Sequence, residues 1–505
     1  MKYWLGIDIG TGGSRALLVD ASGKVASGVT VAHRDMRMEH PMWAEQDPDD
    51  WVRAAFEAIR LVLARADASG EDVAGVGFSG QMHGLVLLDA NHKVLRPALI
   101  WCDQRSQAQV DWMNQTAGAD FILQQTANPV LTGFTAPKLL WVRDHDPASY
   151  EKTRTMLLPK DYVRFRLTGD FAQDVSDASG TALYDVVHRR WAGPLISKIG
   201  VDQKILPAVL ESSDLAGEIS EIAAKETGLK AGTPVVAGAG DQAASAVGNG
   251  IVEAGLVSCT IGTSGVVFSH MDEVAYDPTG RVHTFCHAVP GKWHVMGVTQ
   301  GAGLSLQWFR NQLGGEFVTR AAQENVDPYD LMMKEASSAP ATSEGLYWLP
   351  YLMGERTPHL DAYARGGWIG LTAKHTRAHL LRSMIEGVSY SLKDCLEIVE
   401  SLGVEVQAVR ASGGGAKSPF WRGMLANIFG CPITTLETQE GSAYGAALLA
   451  MSGTGGFSSV PEACSATIQV KDQVEPQPEQ IQAYAVGHRA YQALYPALKD
   501  SFRSA

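Results

Sequence analysis

Apolar residues along the chain first gather in short runs broken by glycine, then recur at helical spacing. Tyr3-Trp4-Leu5-Gly6-Ile7-Asp8-Ile9-Gly10 has the length of one strand, and Arg15-Ala16-Leu17-Leu18-Val19-Asp20 that of a second. Only Thr11-Gly12-Gly13-Ser14 lies between them, too short for a crossover, which predicts an antiparallel hairpin. Asp47-Pro48-Asp49-Asp50 has the chemistry of a helix start: a capping carboxylate, proline at the first position and acids in the first turn. Val52, Phe56, Ile59 and Leu63 follow on one helical face. Residues 73–78 return to strand character and run into Ser79-Gly80-Gln81-Met82-His83-Gly84, a polar loop. In open α/β sheets ligands collect at such C-terminal strand ends.

The middle of the chain repeats this grammar. Residues 233–236 read as a strand entering Gly238-Ala239-Gly240, and Asp241-Gln242-Ala243-Ala244-Ser245-Ala246-Val247 as a helix. Residues 254–262 are a strand, Thr263-Ser264-Gly265 a polar turn and Val266-Val267-Phe268 the next strand. Two α/β halves are therefore expected, 1–246 and 247–505, each presenting a Gly/Thr hairpin to a shared cleft. Leu380, Met384, Val388, Leu392, Cys395 and Val399 mark one face of a long helix that stops at Gly403. Val474-Glu475-Pro476-Gln477-Pro478-Glu479 reads as a linker. A last helix over about 478–500, carrying Tyr484, Tyr491 and Tyr495, is expected to pack back on the N-terminal half.

Composition narrows the function classes. The 505 residues are 45% hydrophobic and 19% charged, a globular balance. Lys and Arg number 42 against 55 acids, and the net charge of −13 argues against nucleic acid or an anionic membrane as partner. Six cysteines are too sparse for a disulfide scaffold and none has zinc-ligand spacing, so reduced thiols are expected. Asp8 interrupts the only apolar run near the start, and no run approaches the roughly 18 residues of a spanning helix, so a cytoplasmic location is expected.

Consecutive Gly and Thr in Asp8-Ile9-Gly10-Thr11-Gly12-Gly13-Ser14 let backbone amides and hydroxyls approach phosphate oxygens, and Asp8 supplies a hard oxygen for magnesium. An ordinary hairpin would look the same, but a second one at Gly262-Thr263-Ser264-Gly265 favours a nucleotide held from two sides. Asp241 heads a helix and reads equally as its cap or as a general base. Gln81-Met82-His83 reads as a binding loop or as surface. Trp101-Cys102-Asp103-Gln104-Arg105 reads as a polyol-binding set or as a salt-bridged helix start. Ser412-Gly413-Gly414-Gly415-Ala416-Lys417-Ser418 offers flat backbone on which an adenine or ribose could lie.

Two longer runs give these pieces a common frame. Gly133-Phe134-Thr135-Ala136-Pro137-Lys138-Leu139-Leu140-Trp141-Val142 is one. Gly366-Gly367-Trp368-Ile369-Gly370-Leu371, followed by His379-Leu380 and Ser383-Met384-Ile385-Glu386, is the other. In this order, with Asp241 between them, they resemble the signatures of the FGGY carbohydrate kinases, part of the sugar kinase, actin and heat-shock ATPase superfamily. The resemblance runs from Tyr3 to about Tyr495. It implies an α/β fold of two ribonuclease H-like (actin-like ATPase) domains facing a central cleft, with ATP, Mg2+ and a sugar as ligands and a homodimer as a family-level expectation. Gln81-Met82-His83-Gly84, Leu158-Pro159-Lys160-Asp161-Tyr162 and Tyr351-Leu352-Met353-Gly354-Glu355-Arg356-Thr357-Pro358 resemble the family members that act on the ketopentose D-xylulose.

Carried over by position, the resemblance assigns Met82, His83, Asp103, Asp241 and Gln242 to the sugar, with Asp241 as general base and Asp8 assisting the metal. It assigns Thr11, Gly12, Ser14, Gly262 and Thr263 to phosphates, and Trp308, Gly414, Gly415 and Ser418 to the nucleotide. Cys102 departs from the Asn often found there. A sibling kinase for L-ribulose or glycerol would share every ATP-side residue. A chaperone-like ATPase would have no use for Gln81-Met82-His83, and a non-catalytic sugar-binding regulator would be expected to lose Asp8 or Asp241.

Overall fold

A computed structural model describes residues 2–438 and 440–503. Two sheets of the same plan carry it. In the first the strand order is Leu215–Glu218, Pro234–Val236, Val73–Gly80, Tyr3–Ile9, Gly13–Asp20 and Val25–Ala32, with Ala239–Gly240 paired to the end of Val73–Gly80. In the second the order is His283–Cys286, Trp293–Thr299, Gly265–Met271, Leu256–Ile261, Ala408–Ser412, Ile433–Leu436 and Val470–Val474.

Each sheet is built round one strand with an antiparallel neighbour and a parallel one. Tyr3–Ile9 pairs antiparallel with Gly13–Asp20 and parallel with Val73–Gly80, which sets Asp8 opposite Arg15 on one side and Ser79 on the other. Leu256–Ile261 pairs in the same two senses with Gly265–Met271 and Ala408–Ser412. Both hairpins have three-residue loops, closed by Gly10 N to Gly13 O and by Gly262 N to Ser264 O, each 3.0 Å. The duplicated hairpins read from sequence are thus present strand for strand.

Local chemistry explains the flanking helices. Asp47 caps Pro48–Arg65 by accepting from the Asp49 amide at 3.0 Å, and the helix buries Trp51, Phe56, Ile59 and Val62 against the first sheet. Arg377–Ser401 buries Met384, Val388, Leu392, Cys395 and Val399 in the core of the second half. Between Val73–Gly80 and Pro234–Val236 the chain makes a long excursion of short helices with its own apolar cluster around Leu87, Leu139, Leu140 and Met156. That excursion covers the outer edge of the second sheet: the Asn128 amide donates to Thr284 O at 2.7 Å and accepts from Thr284 N at 3.2 Å.

The halves also meet through helix Gly441–Gly453, which belongs to the second half by sequence but lies on the first sheet and on helix Asp241–Gly248. Its small residues let backbone touch backbone. A Cβ at Gly6 would fall 1.9 Å from Ala443 O, one at Gly77 would fall 1.9 Å from Ala446 O, and one at Gly445 would fall 1.8 Å from Ala244 O.

The terminal segment corrects the sequence expectation. It forms two helices, Pro478–Gln492 and Leu494–Phe502, and they pack on the second half rather than on the N-terminal one. Tyr484 accepts from Arg382 at 2.8 Å, Tyr491 bonds Tyr351 at 3.0 Å and Tyr495 donates to Asp361 at 2.7 Å, so polar tips on the tyrosines select this surface. Among the described residues no helix is long and apolar enough to cross a membrane. All six cysteines are free.

Two stability predictions follow from these contacts. Gly445→Val forces side-chain atoms into the Ala244 backbone and should destabilise by about 3 kcal/mol or more, read as a fall in Tm; an unchanged Tm would contradict a fully packed seam. His488 sits between Asp394 at 2.8 Å and Glu397 at 3.4 Å. Burial alone would depress its pKa, but hydrogen bonds to those carboxylates and their charge lift it from 6.5 to about 9. Raised in the folded state, it contributes stability fully below about pH 6.5 and loses it as pH climbs through about 9. The gap in urea stability between wild type and His488→Gln should therefore narrow across that window; a gap constant from pH 6 to pH 9.5 would contradict the charged clamp.

Candidate active site

Strand ends and a helix start bring two carboxylates together. Asp8 stands near the end of the central strand Tyr3–Ile9, and Asp241 is the first residue of helix Asp241–Gly248. Gly240 occupies the N-cap with no side-chain cap, and Asp241 follows as the first helical residue. Burial raises the Asp241 carboxyl and the Asp8 charge raises it further, to about 7, against the hydrogen bonds of the Gln242 amide and side chain. Asp8 is likewise raised by burial, opposed by the Ser79 hydroxyl and the Arg15 guanidinium. Its Oδ1 is buried with no hydrogen-bond partner among the described residues. Two neighbouring buried carboxylates, one with an unspent oxygen, suit a divalent cation.

The ground under Asp241 is ionic. The Gly240 amide donates to Ser176 Oγ at 3.1 Å, Ser176 donates to Asp174 at 2.5 Å, and Asp174 pairs with Lys160 at 2.8 Å. Lys160 also meets Asp161 at 2.6 Å and Asp177 at 3.4 Å, all fully buried. The Leu158-Pro159-Lys160-Asp161-Tyr162 run thus acts from beneath the site.

Loop 81–84 forms a wall beside Asp241. Met82 is buried and its side chain lies against Gly240, where a Cβ would meet Met82 Cγ at 2.9 Å. His83 adopts a left-handed φ of 68°, bonds Gly180 O through Nδ1 at 2.7 Å and stacks on Phe134 at 4.7 Å between ring centres. Burial, then the Lys138 charge, lowers its pKa to about 3, so the imidazole is neutral. Lys138 fixes the loop from behind, donating to His83 O at 3.0 Å and Gly133 O at 2.6 Å, while Thr135 Oγ1 reaches His83 O at 3.2 Å. Thr11 ties the first hairpin to this wall: its hydroxyl accepts from Trp101 Nε1 at 2.9 Å and lies 3.4 Å from Gln81 Oε1. Gly12 faces open space.

On the second half a cavity of about 380 Å³ opens between Ser245 of the Asp241 helix, Asn249 just after it, Thr260, Ser412 and the Gly413-Gly414 turn. Gly413 and Gly415 sit directly on Ile261, the residue before the second hairpin, where a Cβ would come within 2.6 Å and 2.5 Å of its atoms. Gly262 and Thr263 are exposed in that hairpin, and their carbonyls accept from Gly303 N at 2.8 Å and Leu304 N at 3.1 Å.

Four expected site residues are placed elsewhere. Ser14 is fully buried with its hydroxyl on His33 Nε2 at 2.8 Å, so it cannot meet a phosphate. Asp103 is also fully buried; Arg105 and the Ala44 amide at 2.7 Å occupy its carboxylate, which makes it a structural anchor rather than a sugar ligand. Ser418 caps helix Pro419–Phe429 by accepting from Trp421 N at 3.3 Å. Trp308 packs with Trp348 and Trp368 at 5.8 and 6.0 Å, and does not line the cavity. The sequence reading singled out neither Lys138 nor the cavity residues Ser245, Asn249 and Arg410, although Lys138 lies inside a run it quoted.

Comparison with known proteins shows the family of the chain. The model described as the FGGY family of carbohydrate kinases, N-terminal domain, matches residues 3–248, and the C-terminal domain model of the same family matches 257–454. Xylulose kinase of Bacillus subtilis (strain 168) is 39% identical over 500 residues, 99% of this chain and 98% of that one. Xylulose kinase of Escherichia coli (strain K12) is 39% identical over 448 residues, 88% of this chain and 89% of that one. The crystal structure described as a xyloylose kinase from Brucella ovis superposes with a TM-score of 0.90 at 36% identity, covering 99% of both chains.

Lys138→Met takes one donor each from the half-buried His83 and Gly133 carbonyls, a change worth about 1–3 kcal/mol. Backbone amides of loop 81–84 should exchange hydrogen faster in the variant than in wild type; unchanged protection there would show the loop is held by other contacts.

Proposed function

Since the chain belongs to the FGGY family of carbohydrate kinases, we propose that it transfers the γ-phosphoryl group of ATP to the terminal hydroxyl of D-xylulose, giving D-xylulose 5-phosphate. That it is a carbohydrate kinase follows from the family; the sugar, the base and the metal are the reading advanced here. The observation that carries it is the pairing of Asp241 with Asp8 beside the Met82-His83 wall. The activity for which the relatives are named, xylulose kinase, supports the choice of sugar.

Asp241 acts as general base, taking the proton of the attacking hydroxyl as its oxygen bonds to the γ-phosphorus and the bond to the ADP oxygen breaks. The bare carboxyl, at about 7, is close in basicity to the working pH, where a base is most effective. Gln242 orients the carboxylate through its two hydrogen bonds. Met82 and neutral His83 shape the sugar side, and the neutral imidazole adds no charge against the developing phosphate. Mg2+ fits the unspent Asp8 oxygen, and when bound it would neutralise phosphate charge, which with positioning does most of the work of phosphoryl transfer. Thr11 and Gly12 from one hairpin, and Gly262 and Thr263 from the other, offer amides and hydroxyls to the phosphates. Gly414 lines the cavity that suits the nucleoside.

A coupled ADP-release assay over ketopentoses, aldopentoses and glycerol tests the sugar: D-xylulose should be preferred, and a strong preference for glycerol would overturn the choice. Asp241→Ala should lower kcat by about 10²–10⁴-fold; near wild-type turnover would remove Asp241 from the role. A base must be ionised, so kcat/KM should rise with pH as Asp241 deprotonates through about 7, an upper bound that a bound cation would pull down. A profile falling over that range would contradict the base assignment.

A further inference from the structure

In the second half the Arg356 guanidinium has no hydrogen bond or ion pair among the described residues. Arg356 is anchored firmly on both sides. Glu355 before it accepts from Thr299 Oγ1 at 2.6 Å, from Gln300 N at 2.8 Å and from the Arg356 amide at 2.8 Å. Thr357 after it accepts from Val298 N at 3.1 Å and donates to Arg281 O at 2.6 Å. These bonds pin residue 356 beside the strand His283–Cys286, whose neighbour Trp293–Thr299 pairs His283 with Met296. The Arg356 guanidinium itself makes no hydrogen bond or ion pair among the described residues; the Glu355 oxygens are taken by other donors.

The segment that carries this arginine adjoins the sugar wall through the His283 strand. His283 lies 5.7 Å from Phe134, and Phe134 stacks on His83 at 4.7 Å, so second-half residues meet loop 81–84 through an aromatic seam. Burial lowers the pKa of both histidines, and the Arg356 charge lowers each further. The other basic groups near the wall are spent: Lys138 on two carbonyls, Arg105 on Asp103 and Glu45, and Lys160 on three aspartates. A guanidinium holds five donors in a fixed fork and matches an array of oxygens.

We propose that Arg356 is a specificity-determining residue that hydrogen-bonds the ketose from the second half, opposite Met82 and His83, so that the sugar is gripped by both halves. The inference rests on the kinase reading given above. A neutral polyhydroxylated ligand needs donors and acceptors rather than a counter-charge, and Arg356 supplies donors where the neutral His83 and the apolar Met82 offer few. A sugar that spans the halves also gives its own binding energy a way to favour their closure.

The test compares wild type with Arg356→Met and Arg356→Lys. Wild-type turnover of a ketopentose comes first: none with any ketose would mean that the kinase reading, rather than this inference, has failed. Given turnover, Arg356→Met should raise KM for the ketose by about 10- to 100-fold, the value of charge-assisted hydrogen bonds, with KM for ATP within about threefold of wild type. Arg356→Lys, which keeps the charge but loses the fork, should recover only part of that affinity. A ketose KM within twofold of wild type, or a rise shared equally by ATP, would overturn the proposal. Should the variants fail to fold, phenylglyoxal labelling of wild type read by mass spectrometry decides. D-xylulose without nucleotide should slow labelling of Arg356, and no protection at saturating ketose would likewise overturn it.

Discussion

The structure depends on backbone touching backbone where helix Gly441–Gly453 crosses helix Asp241–Gly248 and the first sheet. Contacts of this closeness exclude every side chain larger than hydrogen at Gly6, Gly77, Gly248 and Gly445. Dispersion is gained over many atoms at once, and little side-chain entropy is lost because the residues have almost none to lose. A helix from the second half thereby becomes a layer of the first. The same contact sets the height and angle of the helix that begins at Asp241, so the carboxylate is aimed by packing some distance away from it. Ser442, whose hydroxyl reaches Asp241 O at 3.2 Å, ties the two helix starts directly.

Electrostatics then turns that placement into chemistry. Asp8 and Asp241 are both drawn from water, and the Asp8 charge makes ionisation of Asp241 harder. Burying like charges is unfavourable, and a fold that does so must support them elsewhere. Here the support is a fully buried network of Lys160, Asp161, Asp174 and Asp177 under the Gly240 amide. The network holds the turn before Asp241 without neutralising Asp241 itself, leaving its basicity to be set by Asp8 and by whatever cation and hydroxyl enter the gap.

Much of the architecture was legible from short stretches of chain. The hairpin at Thr11, the capped helix after Asp47 and the second hairpin at Thr263 follow from period, turn chemistry and capping, which act over a few residues. The site was legible only in part. Ser14 and Thr11 share one Gly/Thr turn, yet strand alternation sends Ser14 inward to His33 and leaves Thr11 at the loop. Asp103 and Arg105 read as either a sugar set or a salt bridge, and Glu45 and the Ala44 amide, about sixty residues away in the chain, decide for the salt bridge. Ser418 begins a helix, and a cap was the simpler use of its hydroxyl.

By itself the sequence determined the repeated strand–turn–strand grammar, the family, and the kind of groups available: two aspartates, two Gly/Thr turns and a Met-His loop. These are properties of neighbouring residues, governed by backbone sterics and hydrophobic period. Only the tertiary structure decided which of those groups are free. The terminal tyrosines went to the second half because Arg382, Tyr351 and Asp361 offered partners there. Asp103 was consumed while Asp8 kept an unspent oxygen, and Lys138 was buried to hold a loop. The physical reason is that a polar group's availability is a balance over all its partners, and those partners are gathered from the whole chain.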